Sequence, residues 1–409
     1  MASSATSMDV SDPSADPSTY LRGLRGLTNL GNTCFMNSVL QVFLHCPPVV
    51  RFFLSDCHNR FECISRSMDA DAAAGVTPEG GPITSRRPCL ACEMDRLFTQ
   101  CFSGKQAPFS PHSFLHAMWS NAESFAGYEQ QDAHEFLIQA LQAIDAGLAQ
   151  PRRSLSSPAQ GEAASGMTWT ARSVEHHAEA QCGQDLQRIF TGVIRSDVTC
   201  LACKGKSTKF EEFHDVSLDL TAEQGDGGGG VQHQGGGGSA YHDSLTACLR
   251  AFTRPERMSF AERCWCARCG GLQESAKQLS FHRLPSVLCF HLKRFEHGKQ
   301  TSTKIEHMVQ FPLHSLNMRP HMASAVTANA DGSDAATLEP LPEQLYDLFG
   351  VAVHHGGMSN GHYTSFVRRQ AEWFHCDDAL VTPAPEEAVR NCKGYLLFYC
   401  TKRLSARAN

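Results

Sequence analysis

The chain of 409 residues lacks any apolar run long enough to form a membrane-spanning helix, and its first residues lack the layout of a signal peptide. It also lacks an excess of basic side chains: 36 Lys and Arg against 42 Asp and Glu give a net charge of -6, which disfavours binding to nucleic-acid phosphates. These absences predict a soluble intracellular protein that binds neither a membrane nor nucleic acid directly. The length suits two or three domains, or one large domain with insertions.

Several segments contain few bulky apolar side chains and cannot repay the entropy of ordering. We predict a disordered tail over residues 1–20 and flexible inserts over 150–180, 224–240 and 318–342, with a similar stretch at 70–87. The Gly-rich run GDGGGGVQHQGGGG is a flexible insert rather than a phosphate-binding loop, because it lacks the Lys-Ser/Thr ending of such loops.

The hydrophobic periodicity changes along the chain. A helical pattern follows Thr33 and must stop at the Pro-Pro pair that begins with Pro47, and a second helical pattern covers residues 133–148. Asp132 and Glu135, three apart at the start of the second helix, are typical of a capping box variant. Strand patterns follow in SVLCFHLKRF, LFGVAVHH, HYTSFVRR, EWFHC and GYLLFYC. Because the predicted helices come first in the chain and the strands of an antiparallel sheet follow, we predict the α+β class.

Cys34 lies in GLTNLGNTCFMNSVLQVF, in the first turn of the first predicted helix. A thiolate there faces unpaired backbone N–H groups and the positive end of the helix dipole, which predicts a thiol pKa below the free value of about 8.5. Asn29, Gly31 and Asn32 form a tight loop that would aim amide donors at an oxyanion beside the sulfur. The alternative is a buried cysteine at a helix start, without chemical function.

His362 in SNGHYTSFVRR is the candidate general base, because the segment up to Asp377 has the pattern of two strands. A hairpin with a four-residue loop over 368–371 would place His362 directly opposite Asp377, with Cβ atoms about 4.5–5.5 Å apart, so that the carboxylate orients the imidazole. A slip of one residue would replace Asp377 by Asp378 or Cys376. The alternative is that His362 merely caps a strand.

Eighteen cysteines, several in CxxC pairs, favour metal binding in a reducing compartment over a disulfide scaffold. Two of these pairs supply four soft thiolates, as a closed tetrahedral structural zinc requires. The predicted ligands of this zinc are Cys200, Cys203, Cys266 and Cys269. Cys264 is an alternative ligand in the second pair, although the CxxC spacing favours Cys266 and Cys269.

The remaining CxxC pair, Cys89 and Cys92, needs two further ligands for a second zinc. The nearest candidates are His58 and Cys63 in DCHNRFEC, with Cys57 as a substitute. A polar insert separates the two halves of this set, so its spacing alone is less specific than that of the first set.

Three stretches of the sequence resemble the conserved boxes of the ubiquitin-specific proteases. GLTNLGNTCFMNSVLQ is similar to their cysteine box, GYEQQDAHEFL to their Gln-Gln-Asp box, and SNGHYTSF with WFHCDDA to their histidine box; HLKRF and GYLLFY match further signatures. The boxes occur in family order from about Leu21 to Tyr399. The resemblance implies a papain-like thumb and palm with a zinc-bound β fingers extension. It places the catalytic domain at 21–403, with the thumb at about 21–185, the fingers at about 190–285 and the palm at about 286–403.

The resemblance also implies a role for each site residue. The implied catalytic residues are Cys34 (nucleophile), His362 (base), Asp377 (its orienter), Asn29 (oxyanion donor) and Asp378 (supporting neighbour). The implied contacts to the arginine-bearing ubiquitin tail and its Gly-Gly end are Gln131, Asp132, Glu135 and Tyr363. The alternative for Asp132 and Glu135 is helix capping. The alternative for Tyr363 is an ordinary aromatic residue of a strand.

FFLSDCH, CLACEMDRLF, GYEQQDAHEFLI, SDVTC and FHLKRFEH resemble the ubiquitin-specific protease subgroup of the SAGA transcriptional coactivator complex. This implies the second zinc, a nuclear rather than cytoplasmic enzyme, and removal of ubiquitin from monoubiquitinated histone with the help of small partner subunits. The N-terminal zinc-finger domain usual in that subgroup is not expected in the roughly twenty residues before the cysteine box. The predicted reaction is hydrolysis of the isopeptide bond at the C-terminal Gly of ubiquitin. The alternatives are a catalytically silent ubiquitin-binding zinc scaffold and a zinc-stapled transcription adaptor.

Overall fold

The computed structural model describes residues 23–55, 57–61, 63, 87–149, 188–221, 241–297, 302–323, 344–357 and 360–402. The predicted tail 1–20, the predicted inserts 150–180 and 224–240, and most of the stretches 70–87 and 318–342 lie outside the described residues. Met318 and His321, at the start of the last of these, are described and buried. The packed chain therefore extends beyond the predicted start of that insert.

The described helices lie mainly in the N-terminal half of the chain. None of them is long and apolar enough to cross a membrane. Their bounds are α1 Cys34–Leu44, α2 Pro47–Leu54, α3 Leu90–Cys101, α4 His112–Asn121, α5 Ala133–Leu148, α6 Leu245–Thr253 and α7 Glu386–Arg390.

The described strands follow α5. Their bounds are β1 Gly192–Cys200, β2 Lys206–Phe213, β3 Val216–Leu218, β4 Glu256–Arg257, β5 Cys264–Cys266, β6 Gly271–Gln273, β7 Ser275–Arg283, β8 Val287–Leu292, β9 Phe295–His297, β10 Ser302–Lys304, β11 Leu316–Asn317, β12 Leu345–Gly356, β13 Gly361–Arg369, β14 Glu372–Asp377, β15 Leu380–Ala384 and β16 Gly394–Thr401.

The strands form one large sheet and three smaller ones. The large eight-stranded sheet has the order β15-β14-β13-β12-β16-β8-β3, with β11 paired to β12. Its pairs are antiparallel except β3 with β8, which are parallel. A four-stranded sheet has the order β2-β1-β7-β4, and β5 with β6 and β9 with β10 form two-stranded sheets. The predicted α+β class is confirmed.

Strand β16 shows why the large sheet is stable. All its residues are buried. Leu396 and Phe398 pack with the N-terminal helices, whereas Leu397 and Tyr399 pack in a second core with α6. Successive strand side chains point to opposite faces, so a sheet covered on both faces requires a continuous apolar run such as GYLLFYC.

Helix α1 occupies the centre of the first core. Every one of its residues is buried, and it packs against β13 and β12. It ends at Leu44, and Pro47 starts α2 because a proline is tolerated in the first helical turn but not inside a continuing helix. The predicted end of α1 is confirmed. This packing brings the start of α1 beside the first residues of β13.

The hairpin of β13 and β14 differs from the predicted register. Ser365 pairs with Cys376, two positions away from the predicted pairing. Because side chains alternate with period two, a shift of two residues keeps His362 and Asp377 on one face of the sheet, in diagonal rather than direct opposition.

The turn of this hairpin explains the shift. Arg369 pairs with Glu372, so only Gln370 and Ala371 form the turn, and the predicted four-residue loop over 368–371 is wrong. Gln370 adopts φ 54, in the left-handed region that two-residue hairpin turns require. Glutamine is an uncommon residue there, so the sequence carried no signal for the shorter turn.

Candidate active site

Cys34 is the first residue of α1 and is 4% exposed. Burial raises the pKa of its thiol, and the Asp378 carboxylate raises it as well, whereas the backbone amides of Tyr363 and Phe35 lower it. The net pKa lies above the usual value. The prediction of a lowered pKa is therefore wrong for this structure, because the cost of placing a thiolate away from water outweighs the helix-start N–H groups.

The loop before Cys34 is built around Asn29. Its Oδ1 accepts hydrogen bonds from the backbone N–H groups of Gly31 (3.0 Å) and Thr33 (3.2 Å). Its Nδ2 donates to Asp378 Oδ2 (2.8 Å). An amide carries two N–H donors, so the contact with Asp378 uses one of them and fixes the orientation of the group.

Asp378 lies against this loop from the other side of the site. Its Oδ1 accepts a hydrogen bond from Asn37 Nδ2 (2.8 Å), and its backbone carbonyl accepts from the N–H of Leu27 (2.8 Å). Asn37 was not among the residues predicted from the sequence. Its signal was a polar residue in a largely apolar helix, since a buried amide needs hydrogen-bond partners. Asp378 thus holds Asn29 and α1 together.

His362 and Asp377 form the second half of the site. His362 Nε2 lies 2.7 Å from Asp377 Oδ1, and the two side chains are 42% and 43% exposed. The carboxylate occupies Nε2, so Nδ1 is the ring nitrogen left for proton transfer. Among the described residues no hydrogen bond joins Cys34 Sγ to His362. The base is oriented but not engaged with the thiol, a common arrangement before substrate binds.

Asp132 caps helix α5. Its Oδ1 accepts from the backbone N–H groups of His134 (2.7 Å) and Glu135 (3.1 Å), and its Oδ2 accepts from the hydroxyl of Tyr395 (2.6 Å). The capping interpretation of Asp132 is confirmed. The Glu135 side chain is exposed and makes no hydrogen bond to the described residues. Gln131, in the same loop, donates through Nε2 to the backbone carbonyl of Ser124 (3.4 Å).

A cleft of about 210 Å³ lies between Cys34, the start of α5 and Tyr363 of β13. Burial raises the pKa of the Tyr363 phenol in its wall and, together with Lys304, lowers the pKa of His354 to about 4. Gln130, Phe295 and His354 line the cleft but were missed, although Gln130 stood beside Gln131 in the Gln-Gln pair. The residues lining the cleft are Asn32, Cys34, Phe35, Gln130, Gln131, Asp132, Phe295, His354 and Tyr363.

The first cysteine set forms a group that we call the fingers cluster: Cys200, Cys203, Cys266 and Cys269. Their four sulfurs lie within 4.8 Å of one another. Cys203 Sγ lies 3.5 Å from Cys266 Sγ, and Cys200 Sγ lies 3.9 Å from Cys269 Sγ. Four thiolates bound tetrahedrally at about 2.3 Å from zinc are about 3.8 Å apart, so the donor set fits. Cys264 lies outside it, near Met258 Sδ (3.8 Å).

The second set forms the histidine–cysteine cluster: His58, Cys63, Cys89 and Cys92. All four are buried, and their ligand atoms lie within 4.8 Å of one another. His58 Nε2 lies 3.2 Å from Cys92 Sγ and 3.9 Å from Cys89 Sγ. One imidazole and three thiols are a common zinc donor set. Cys57, the alternative, is not part of the group.

A third group, which the sequence analysis missed, consists of His134, Asp215 and His291. His134 Nε2 lies 2.8 Å from Asp215 Oδ2, and His291 Nδ1 lies 2.9 Å from Ser217 Oγ. The two imidazole rings stack at 3.8 Å with an interplanar angle of 16°. Lone pairs in nearly parallel rings do not converge on one ion. Burial lowers the pKa of His291 to about 4. The stacked rings, with their contacts to Asp215 and Ser217, join α5 to the sheet.

A buried thiol at a helix start, a histidine oriented by an aspartate and amide donors beside the sulfur define a papain-like thiol hydrolase site. The sequence model described as ubiquitin carboxyl-terminal hydrolase matches residues 25–399. The chain therefore belongs to the ubiquitin carboxyl-terminal hydrolase family.

Two curated relatives and one solved structure define the similarity further. Ubiquitin carboxyl-terminal hydrolase 22 of Mus musculus is 40% identical over 385 residues, covering 92% of this chain and 66% of the relative. Ubiquitin carboxyl-terminal hydrolase 27 of Homo sapiens is 39% identical over 394 residues, covering 93% and 80%. The SAGA DUB module of Ubp8, Sgf11, Sus1 and Sgf73 bound to monoubiquitin matches with a TM-score of 0.66 and 26% identity, covering 93% of this chain and 70% of that one. The predicted ubiquitin-specific protease resemblance, including its SAGA subgroup, is confirmed.

Proposed function

We propose that this chain is a cysteine-type deubiquitinase that hydrolyses the isopeptide bond at the C-terminal Gly of ubiquitin. The observation that carries the proposal is the arrangement of Cys34 in the cleft wall with His362 held at 2.7 Å by Asp377. A binding module needs none of these three groups. Membership of the hydrolase family supports the same conclusion.

In the proposed reaction, each of these side chains takes one step. The Cys34 thiolate attacks the carbonyl carbon of the terminal glycine, and His362 accepts the thiol proton through Nδ1. The Asn29 side-chain amide donates to the oxyanion that forms. His362 then protonates the leaving lysine amine, and water hydrolyses the thioester. The products are free ubiquitin and an unmodified lysine.

The shape and charge of the cleft suit the tail of ubiquitin. The rings of Tyr363 and Phe295 line it, and a passage walled by aromatic rings favours glycines, which have no side chain. Glu135 is exposed at the start of α5, so its carboxylate is the group that contacts an arginine of the tail. Asp132 fixes the helix start, and Gln131 lines the cleft.

We propose that the fingers cluster and the histidine–cysteine cluster each hold one structural zinc. The sulfur separations and the donor sets support this assignment. Zinc at such closed sites cross-links the chain and contributes folding free energy. In the proposed domain division, the thumb spans about 21–185, the fingers about 190–285 and the palm about 286–403.

We further propose that the physiological substrate is monoubiquitinated histone in the nucleus, and that small partner subunits raise the activity. Similarity to the Ubp8 chain in the SAGA DUB module bound to monoubiquitin supports this finer proposal. Rates of ubiquitin release from a monoubiquitinated histone and from an unrelated monoubiquitinated protein test it. Equal rates, with and without partner subunits, would remove the support for a histone-directed enzyme.

A ubiquitin derivative with an electrophilic C-terminus tests the enzyme proposal. We expect covalent capture by the wild-type chain, loss of capture in Cys34→Ser and normal capture in the control Cys264→Ser, which removes a thiol outside both clusters. Tight binding of the derivative without a covalent bond would instead support the silent ubiquitin-binding scaffold.

A further inference from the structure

The residues before α5 contact the loop that precedes the nucleophile. We call residues 128–132 the bridging segment. The backbone carbonyl of Tyr128 accepts a hydrogen bond from Asn32 Nδ2 (2.8 Å), and Asn32 lies two residues before Cys34. At the other end of the segment, the cap at Asp132 fixes the start of α5. The bridging segment therefore has a fixed position relative to the thiol.

The same segment also contacts the strand that carries the base. Gln130 Oε1 accepts a hydrogen bond from the backbone N–H of Gly361 (2.9 Å), one residue before His362. A Cβ on Gly361 would lie 1.8 Å from His354 Nε2, so only glycine fits and the backbone packs directly on that ring. Gln130 is thus the side chain by which the bridging segment reaches the start of β13.

Lys304, the last residue of β10, holds the other end of the connection between β12 and β13. Lys304 Nζ donates to the backbone carbonyls of His354 (3.0 Å) and Gly356 (2.9 Å). Gly356 pairs with Gly361 across the hairpin. Both ends of the connection are therefore anchored, and the contact of Gln130 with Gly361 joins the nucleophile side to the base side at the start of β13.

We propose that Gln130 is a positioning residue that sets the distance between His362 and Cys34. This inference rests on the proposed deubiquitinase function and extends it. Asp377 fixes the rotation of the imidazole, and its neighbour Asp378 ties the end of β14 to α1 through Asn37. Neither carboxylate contacts Gly361, so the first residue of β13 needs a reference of its own. The bridging segment supplies that reference, since it is bonded to the residues just before both reacting groups. Small displacements of reacting groups cost large factors in rate.

Gln130→Met tests the inference, because methionine has a similar shape and lacks the amide oxygen. We expect kcat on a fluorogenic ubiquitin C-terminal amide to fall about 10-fold, while ubiquitin affinity and KM stay within about twofold. Hydrogen exchange at residues 360–363 should accelerate, measured on the protein without ubiquitin. The control is Glu123→Gln, which changes an exposed side chain outside the bridging segment and should leave both readouts unchanged.

The outcomes separate the inference from the proposed function. A wild-type chain that neither turns over nor captures ubiquitin contradicts the proposed function, and the exchange measurement still decides the inference. Unchanged exchange at 360–363 in Gln130→Met overturns the inference. So does unchanged kcat in an active enzyme, or a change confined to KM, which would mark Gln130 as a substrate contact only. Faster turnover would show that the contact obstructs the cleft, and this also overturns the inference. A lower melting temperature with unchanged kcat would indicate a merely structural role.

Discussion

The catalytic cleft and the fingers cluster both assemble side chains from distant parts of the sequence, but different forces hold them. In the cleft, hydrogen bonds within the protein fix the groups: Asp378 holds Asn29 and Asn37, and Asp377 holds His362. Around the fingers cluster, β5 and β6 have no buried residue, and Trp265 and Leu272 are 68% and 58% exposed.

The two regions therefore obtain their stability from different sources. The cleft lies on a large hydrophobic core, so apolar packing and hydrogen bonds hold its shape. The hairpin of β5 and β6 has too little buried apolar surface to be stable alone. The zinc that we propose for the fingers cluster would supply the missing free energy. Mutations should therefore be able to change catalysis without metal binding, and metal binding at the fingers cluster without catalysis.

The largest expected effect concerns the cleft. His362→Ala should lower kcat by about 10,000-fold or more, because it removes the proton acceptor of the thiol. Thermal unfolding should stay unchanged, since the side chain is 42% exposed. The control is His116→Ala, an exposed histidine on α4. Substantial activity in His362→Ala would show that another group acts as the base.

The next effect concerns the fingers cluster. Cys266→Ser, or zinc removal by a chelator, should accelerate hydrogen exchange at residues 200–203 and 264–273. Exchange in α1 should accelerate only later, because metal–ligand bonds rather than a hydrophobic core stabilise the region of the fingers cluster. Cys264→Ser should leave exchange unaltered, as its sulfur lies outside the group. Simultaneous loss of protection in both regions would contradict the division between cleft and fingers cluster.

A smaller effect distinguishes two roles of Asp377: orienting the imidazole of His362 through a hydrogen bond, and stabilising the charged imidazolium through its own negative charge. Asp377→Ala should lower kcat about 100-fold, whereas Asp377→Asn should lower it only about 10-fold, because an amide oxygen still accepts from Nε2–H, as in thiol proteases with a Cys-His-Asn site. Steady-state kinetics on one ubiquitin substrate compare the two variants. Equal losses would mean that the carboxylate charge matters more than orientation.

The smallest effect concerns the pKa of Cys34. Burial raises this pKa first, and the Asp378 carboxylate adds to it. A negative neighbour disfavours the thiolate, so Asp378→Asn should lower the pKa and move the rise of iodoacetamide alkylation with pH to a lower pH. Alkylation of Cys34 followed by mass spectrometry measures the profile. A shift to higher pH would show that Asp378 stabilises the thiolate through Asn29.

The contacts that the sequence predicted are local or carried by specific motifs. Periodicity placed α1 and α5, since an apolar face repeats every three or four residues and prolines stop a helix. The CxxC spacing located the ligands of the fingers cluster because two thiols in one tight turn face the same point. The structure also brings His58 and Cys63 to Cys89 and Cys92, as predicted.

What the sequence did not predict depends on packing over long separations. Gln130 meets Gly361 across 231 residues, and Asn37 meets Asp378 across 341; no local pattern encodes such pairs. The raised pKa of Cys34 follows from its burial, which periodicity does not quantify. The predicted register of β13 and β14 was wrong because Gln370 adopts a left-handed φ, which glutamine rarely does and which the sequence therefore did not predict.

The most direct test of the central claim is the structure of the covalent adduct between this chain and a ubiquitin derivative with an electrophilic C-terminus. We predict a bond from Cys34 Sγ to the ubiquitin tail, His362 Nδ1 within hydrogen-bond distance of that sulfur, and Nε2 still on Asp377. A bond at another cysteine, or His362 still apart from Cys34 with the tail in place, would contradict the account.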